Sequence, residues 1–171
     1  TNVSKVIKEH KNYTLLDEQL VAYDKVITTV KSGLNDKQKS TVIIKGGPGT
    51  GKSVIAINLL ADLSAQGYNV HYATGSKAFT ATLRKTVGNA VAQQFKYFNS
   101  YMRAGPNEID VLVADESHRI RMNSNDRFTP RSKRSSIPQI DELLQAAKLP
   151  VFFIDDRQNV RPGEVGSSQL I

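Results

Sequence analysis

The stretch Thr41-Val42-Ile43-Ile44-Lys45-Gly46-Gly47-Pro48-Gly49-Thr50-Gly51-Lys52-Ser53 decides how this chain is read. Its apolar start, Thr41 to Ile44, runs straight into glycines and predicts a buried strand. From Lys52 to about Gln66 the pattern predicts a helix, with Gly67 placed to stop it. Between strand and helix, residues 46–53 match G-x-x-x-x-G-K-[ST] in full. Glycines let the backbone wrap closely, so that successive N–H groups point inward at an anion. The helix N-terminus adds a dipole that favours negative charge. The expected nucleotide-binding residues are therefore Gly46, Gly47, Pro48, Gly49, Thr50, Gly51, Lys52 and Ser53. Lys52 is expected to bridge the β- and γ-phosphates, and the Ser53 hydroxyl to ligate Mg²⁺.

Outward from this loop the pattern repeats. Val70 to Ala73 predicts a second strand, followed by a helix from about Lys77 to Val87. Ile109 to Ala114 is a third buried strand, Pro138 to Lys148 a helix opened by proline, and Val151 to Ile154 a fourth strand. Upstream, Thr14-Leu15-Leu16-Asp17 has capping-box form, and Leu16, Leu20, Tyr23, Ile27 and Val30 share one helical face that ends near Gly33. Residues 1–12 are polar and basic and are expected to be a linker or the tail of an upstream domain, with one domain over 13–171. There is no internal repeat or low-complexity tract. Strands alternating with helices predict an α/β fold, a parallel sheet covered on both faces. Ligands of such sheets sit beyond the carboxyl ends of the strands, where all the motifs fall.

The third strand ends on Asp115-Glu116. Asp115 is expected to hold magnesium through water, and Glu116 to activate the attacking water as general base. That acidic pair, together with the lack of an N-K-x-D guanine-reading motif, favours ATP over GTP. In ATPases with such a pair, the strand ending at Ile154 lies between the glycine-loop strand and the Asp-Glu strand. Gln158, four residues beyond Ile154, then either senses the γ-phosphate or is an exposed loop glutamine.

Composition narrows the partners. The chain has 171 residues, 39% hydrophobic and 23% charged, enough for one packed domain. It carries 23 Lys+Arg against 16 Asp+Glu, a net charge of +7, which favours a polyanionic partner and nucleic acid before membrane. No apolar run reaches the ~18 residues of a membrane span, no signal peptide opens the chain, and there is no cysteine. A cytoplasmic location is the default expectation. The chain starts at Thr1 and closes on Leu170-Ile171, and both ends read as cuts in a longer protein.

GGPGTGKS (46–53), VLVADESH (111–118) and FFIDDRQ (152–158), in that order, make the chain resemble superfamily 1 helicases. IKGGPGTGKSVIAINLL and FFIDDRQNVRPGEVGS bring it nearest to a mostly prokaryotic helicase-like group that also resembles the helicase-like part of Schlafen proteins. The resemblance covers about residues 13–171 and implies a RecA-like P-loop NTPase domain, truncated before a second motor domain. It implies ATP and Mg²⁺ as cofactors and single-stranded DNA or RNA as partner. Within Asp115-Glu116-Ser117-His118 it makes His118 a link from the nucleotide to Gln158 or to the nucleic acid, unless the imidazole merely caps the strand end. The loop Thr74-Gly75-Ser76-Lys77-Ala78 is where such proteins hold a single strand, through Ser76 and Lys77. An ordinary serine-capped turn is the other reading. Family members also read adenine with a glutamine upstream of the glycine loop. Gln38 copies the wording better but lies three residues before Thr41, too close for the intervening helix, so Gln19 is chosen.

From Arg119 to Arg134 there are six Lys/Arg against Asp126 alone, interleaved with Met122 and Phe128. This segment, with Arg127 and Arg131 as contacts, either clamps phosphates and stacks a base or is a solvated insertion. Arg157 and Arg161 are further local charges near the γ-phosphate side. The leading expectation is an ATP-hydrolysing motor on DNA or RNA, and the alternative is an ATP-gated binding module that does not translocate.

Overall fold

The computed structural model describes residues 3–9, 13–87, 89–158 and 162–171. Five strands form one sheet: β1 Val42–Lys45, β2 Val70–Thr74, β3 Phe95–Tyr97, β4 Ile109–Asp115 and β5 Ala147–Ile154. The helices are α1 Val3–Lys8, α2 Asp17–Asn35, α3 Lys52–Ala65, α4 Lys77–Val87, α5 Asn89–Ala92 and α6 Gln139–Ala146. Strand order is β1-β5-β4-β2-β3 and every pairing is parallel. As expected, β5 lies between the glycine-loop strand and the Asp-Glu strand.

Alternation along the strands sorts side chains into two cores. Tyr72, Val111, Val113, Val151 and Phe153 face α1, α2, α3 and α4. Leu112, Ala114 and Phe152 face the other way, onto α6 and a 3₁₀ turn, Phe98–Tyr101. The fold is thus α/β and RecA-like, with both faces of the sheet covered.

Four local expectations need correction. β1 is not a fully buried strand: it is an edge strand, and Ile43 is 37% exposed. α2 begins at Asp17, so the Thr14–Asp17 capping box does not form. Instead Gln19, at the third helical position, accepts the backbone N–H of Leu16 at 3.0 Å. Its buried face is Tyr23, Val26 and Val30, while Leu16 and Leu20 are exposed. α6 stops at Ala146 because the chain from Ala147 is already paired with β4, as Ile109↔Ala147. Pro150 falls inside β5, yet the β1 ladder begins only at Val151, so no bond to β1 is lost.

The stretch expected as a linker contains α1, which packs on α3 with Ile7 fully buried. Burial of one such side chain contributes about 2 kcal/mol. Asp62 of α3 ties this end down, pairing with Lys8 at 2.5 Å and accepting the Tyr23 hydroxyl. Asn58 adds a bond to the carbonyl of Tyr13 at 2.8 Å.

Candidate functional site

Because the sheet is parallel, the carboxyl ends of β1, β5, β4 and β2 line one edge, each followed by a candidate segment. After β1 the glycine loop turns into α3 through Gly51, whose φ of +79° is left-handed and suits glycine. Cβ atoms placed on Gly47 or Gly49 would meet nothing, so the outer rim of the loop is open. Lys52 folds back across the loop, donating to the carbonyls of Gly46 at 2.7 Å and Gly47 at 2.6 Å. Thr50 donates to the Gly47 carbonyl at 2.9 Å and tightens the turn.

Gln19 and Gln38 part company in space. A Cβ on Gly51 would collide with the Gln19 side chain, so Gln19 lies against the glycine loop. Gln38 sits with Gly33, Lys148 and Leu149, beside the amino end of β5 and on the opposite edge of the sheet.

β4 delivers the acidic pair. Asp115 is buried, and its orientation is set on both oxygens: one accepts the Tyr72 hydroxyl at 2.5 Å, the other the Glu116 N–H at 2.8 Å. Tyr72 is fully buried, and burial together with the Asp115 carboxylate raises its hydroxyl well above the usual tyrosine range. It therefore remains a donor. Glu116 has φ +52° and ψ +45°, an uncommon backbone for a residue with a side chain. Its carboxylate lies 3.1 Å from Arg119 Nε and 3.4 Å from Thr74 Oγ1.

Sequence reasoning missed two members of this edge. Tyr72 is one, and the signal was a hydroxyl that must find a partner inside an apolar strand. Asp155, directly after β5, is the other: it is 2% exposed, and its Oδ2 lies 3.8 Å from Lys52 Nζ without a hydrogen bond. A carboxylate closing the run Phe152-Phe153-Ile154 was its visible signal. Gln158 follows in the same turn with an exposed side chain, its N–H donating to the Asp155 carbonyl at 3.3 Å. Arg157 is exposed beside it, and Arg161 lies outside the described residues.

Ser117, not His118, caps the end of β4, donating to the Ala114 carbonyl at 2.9 Å. His118 is buried in the 3₁₀ turn Ser117–Arg119, and its Nδ1 has no hydrogen-bond partner among the described residues. The segment 162–171 closes over this turn. Val165 N–H donates to the Ile120 carbonyl at 2.7 Å, and Ser168 binds the Asp156 carboxylate through both N–H and hydroxyl.

Burial lowers the His118 imidazole below its ordinary 6.5, with Glu116 opposing, and burial likewise lowers His71. In this window the unfolded chain therefore binds more protons than the folded one. Stability is full above about 6.5 and falls as the pH drops through that value. Urea midpoints at pH 7.5 and 5.5 check this: the midpoint is expected to be lower at the acid value. Replacing both histidines with glutamine should shrink the difference.

After β2, Ser76 caps α4, accepting the Phe79 N–H at 3.4 Å, while Lys77 is exposed and lines a cleft with Tyr97, Arg119 and Arg121. The basic segment is a closed loop. Asn125 and Ser135 exchange two hydrogen bonds, at 2.8 and 2.9 Å, and Asp126 accepts from Phe128 N–H and the Thr129 hydroxyl. Arg127 lies 4.6 Å over the ring of Phe128, which is 76% exposed at the tip, and Arg131 is exposed on a 3₁₀ turn, Arg131–Lys133. The stem is anchored by Gln139, which accepts the Arg121 N–H at 2.9 Å and donates to Ser124.

An all-parallel RecA-like sheet, with a glycine loop, an acidic pair and a buried aspartate on adjacent strand ends, is the architecture of a helicase-like domain. Over residues 39–171 the chain matches the family described as Schlafen group 3, DNA/RNA helicase domain, and it belongs to that family. No curated protein sequence matches it significantly. Among the described residues, no helix is long and apolar enough to cross a membrane.

Proposed function

We propose that this domain binds and hydrolyses ATP with Mg²⁺ and uses the cycle to act as a motor on single-stranded DNA or RNA. The observation that carries this reading is the meeting of Lys52 and its loop with Asp115-Glu116 and Asp155 on one sheet edge. The open rim over Gly47 and Gly49 fits a phosphate chain, with the start of the 14-residue helix α3 behind it. Gln19, lying on Gly51, is the candidate adenine reader.

The donor set also fits magnesium. No three His, Cys, Asp or Glu among the described residues could hold a metal by themselves. Ser53 would offer one hard oxygen donor directly and Asp115 a second through water, a small protein share that suits magnesium when phosphates and waters complete its shell. Bound there, magnesium would neutralise charge on the β- and γ-phosphate oxygens. Tyr72 and the Glu116 N–H hold Asp115 in place for this role. Lys52 places its ammonium at the centre of the loop, and Asp155 balances that charge from below. Glu116 accepts the proton of the attacking water. Gln158, on the exposed turn beside Asp155, reports the phosphate state. Nucleic acid runs over Ser76, Lys77, Arg127 and Arg131, a second motor domain completes the cycle, and the reaction takes place in the cytoplasm.

Fluorescent single-stranded DNA and RNA, titrated with and without a non-hydrolysable ATP analogue across a salt series, test the motor reading. Saturable binding that weakens steeply with salt and responds to the analogue is expected. Binding indifferent to the analogue, or none at low salt, would overturn it.

A further inference from the structure

Arg119 links two places that the proposed function treats separately. Its stem lies on Gly75, in the loop between β2 and α4: a Cβ added at Gly75 would sit 2.7 Å from Arg119 Cβ and 3.2 Å from Cδ. Its guanidinium Nε lies 3.1 Å from the Glu116 carboxylate, although that N–H finds no aligned acceptor. The same carboxylate takes the Thr74 hydroxyl at 3.4 Å, and Thr74 Oγ1 accepts the Ser76 N–H at 3.2 Å. Arg119 also lines the cleft that Lys77, Tyr97 and Arg121 share, where Glu164 is the one acidic side chain among the described residues of the wall.

We infer that Arg119 is a latch between nucleic acid and the catalytic carboxylate. With the cleft empty of anion, its guanidinium holds Glu116 in an ion pair beside Thr74, so that the carboxylate oxygen that would meet the attacking water is occupied by these two groups. A backbone phosphate of single-stranded nucleic acid entering beside Lys77 and Arg121 competes for the guanidinium. A fork of donors accepts phosphate at least as well as carboxylate. Arg119 turns from Glu116 to phosphate and frees the carboxylate to take a proton from water. Arg119 is thus a positioning residue, one that acts through Glu116. The latch rests on the reading of Glu116 as general base.

The experiment is ATP hydrolysis by wild type, Arg119→Gln and Gly75→Ala, each with and without a single-stranded oligothymidylate or oligouridylate. Arg119→Gln keeps polarity but releases Glu116. It is expected to raise the basal rate about tenfold, the factor that corresponds to ~1.4 kcal/mol of withheld interaction, and to abolish stimulation by the oligonucleotide. Gly75→Ala leaves Arg119 in the chain but forces its stem to move, and should shift the basal rate in the same direction. A purely structural Arg119 would instead lower basal and stimulated rates together. That outcome, intact stimulation in Arg119→Gln, or a wild type that nucleic acid does not stimulate would each overturn the latch. If Arg119→Gln fails to fold, Gly75→Ala decides alone. Glu116→Gln in the same assay separates the two ideas: hydrolysis surviving in it refutes the general base itself.

Discussion

Lys52→Ala is expected to abolish nucleotide binding at concentrations that saturate the wild type, and with it hydrolysis. The loop around Lys52 is built on that ammonium. It is the shared donor to the Gly46 and Gly47 carbonyls and lies 3.8 Å from the buried Asp155 carboxylate. Removing it takes away the positive charge that would meet the β- and γ-phosphates, a kind of loss that costs about 10²–10³ in rate for a single preorganised donor. It also removes the ion partner that Asp155 has among the described residues, and an unpartnered buried acceptor costs about 1–3 kcal/mol. The variant should therefore melt lower as well. Fluorescent nucleotide titration with thermal unfolding checks both effects. Lys52→Arg should recover much of the stability, since a guanidinium supplies the charge, but little of the binding, since its larger planar head does not fit between two carbonyls. Wild-type nucleotide affinity in a folded Lys52→Ala would refute the assignment of the glycine loop as the nucleotide site.

Glu116→Gln should separate binding from chemistry. The amide keeps the shape and the contact with Thr74 but is no longer a base. Loss of a positioned general base costs about 10²–10⁴ in rate. Nucleotide affinity should change little, because the phosphate cradle proposed above is residues 46–53 and not the end of β4. The backbone at Glu116 is left-handed, with φ +52°. Such a conformation costs on the order of 1 kcal/mol and persists where the surroundings over-determine it. Glu116→Gly should consequently lose hydrolysis while gaining or keeping stability. Single-turnover hydrolysis with radiolabelled ATP, beside equilibrium nucleotide binding, measures the two quantities. Hydrolysis at the wild-type rate in Glu116→Gln would place the base elsewhere.

Much of the fold was legible because the informative patterns are local. An apolar run entering glycines, then a helix stopped near Gly67, identifies the strand, loop and helix over 42–65 from neighbours alone. The same is true of β2 with α4, and of β4 with the acidic pair. What escaped was whatever depended on a partner far along the chain. β3 is three residues, Phe95-Lys96-Tyr97, preceded by two glutamines; it is a strand because β2 pairs with it and because Arg84 binds the Phe95 carbonyl. α1 looked like a polar tail because six residues are too few to show a period, although Ile7 within it is fully buried. The edge position of β1 was likewise invisible, since an apolar tetrapeptide reads the same in the middle of a sheet as at its rim.

At the candidate site, the sequence by itself determined the residue types and their order: a glycine loop with Lys52 and Ser53, then Asp115-Glu116, then Gln158. Local backbone geometry dictates those patterns, and local geometry is written in adjacent residues. Only the tertiary structure decided which side chains meet. It set Gln19 on Gly51 and Gln38 at the other edge, gave Asp115 its Tyr72 hydroxyl, put Asp155 under Lys52, and laid Arg119 between Gly75 and Glu116. The physical reason is that each of these meetings depends on strand order or on how a loop closes. Both are settled by the packing of whole faces against one another, a property no short run of residues contains.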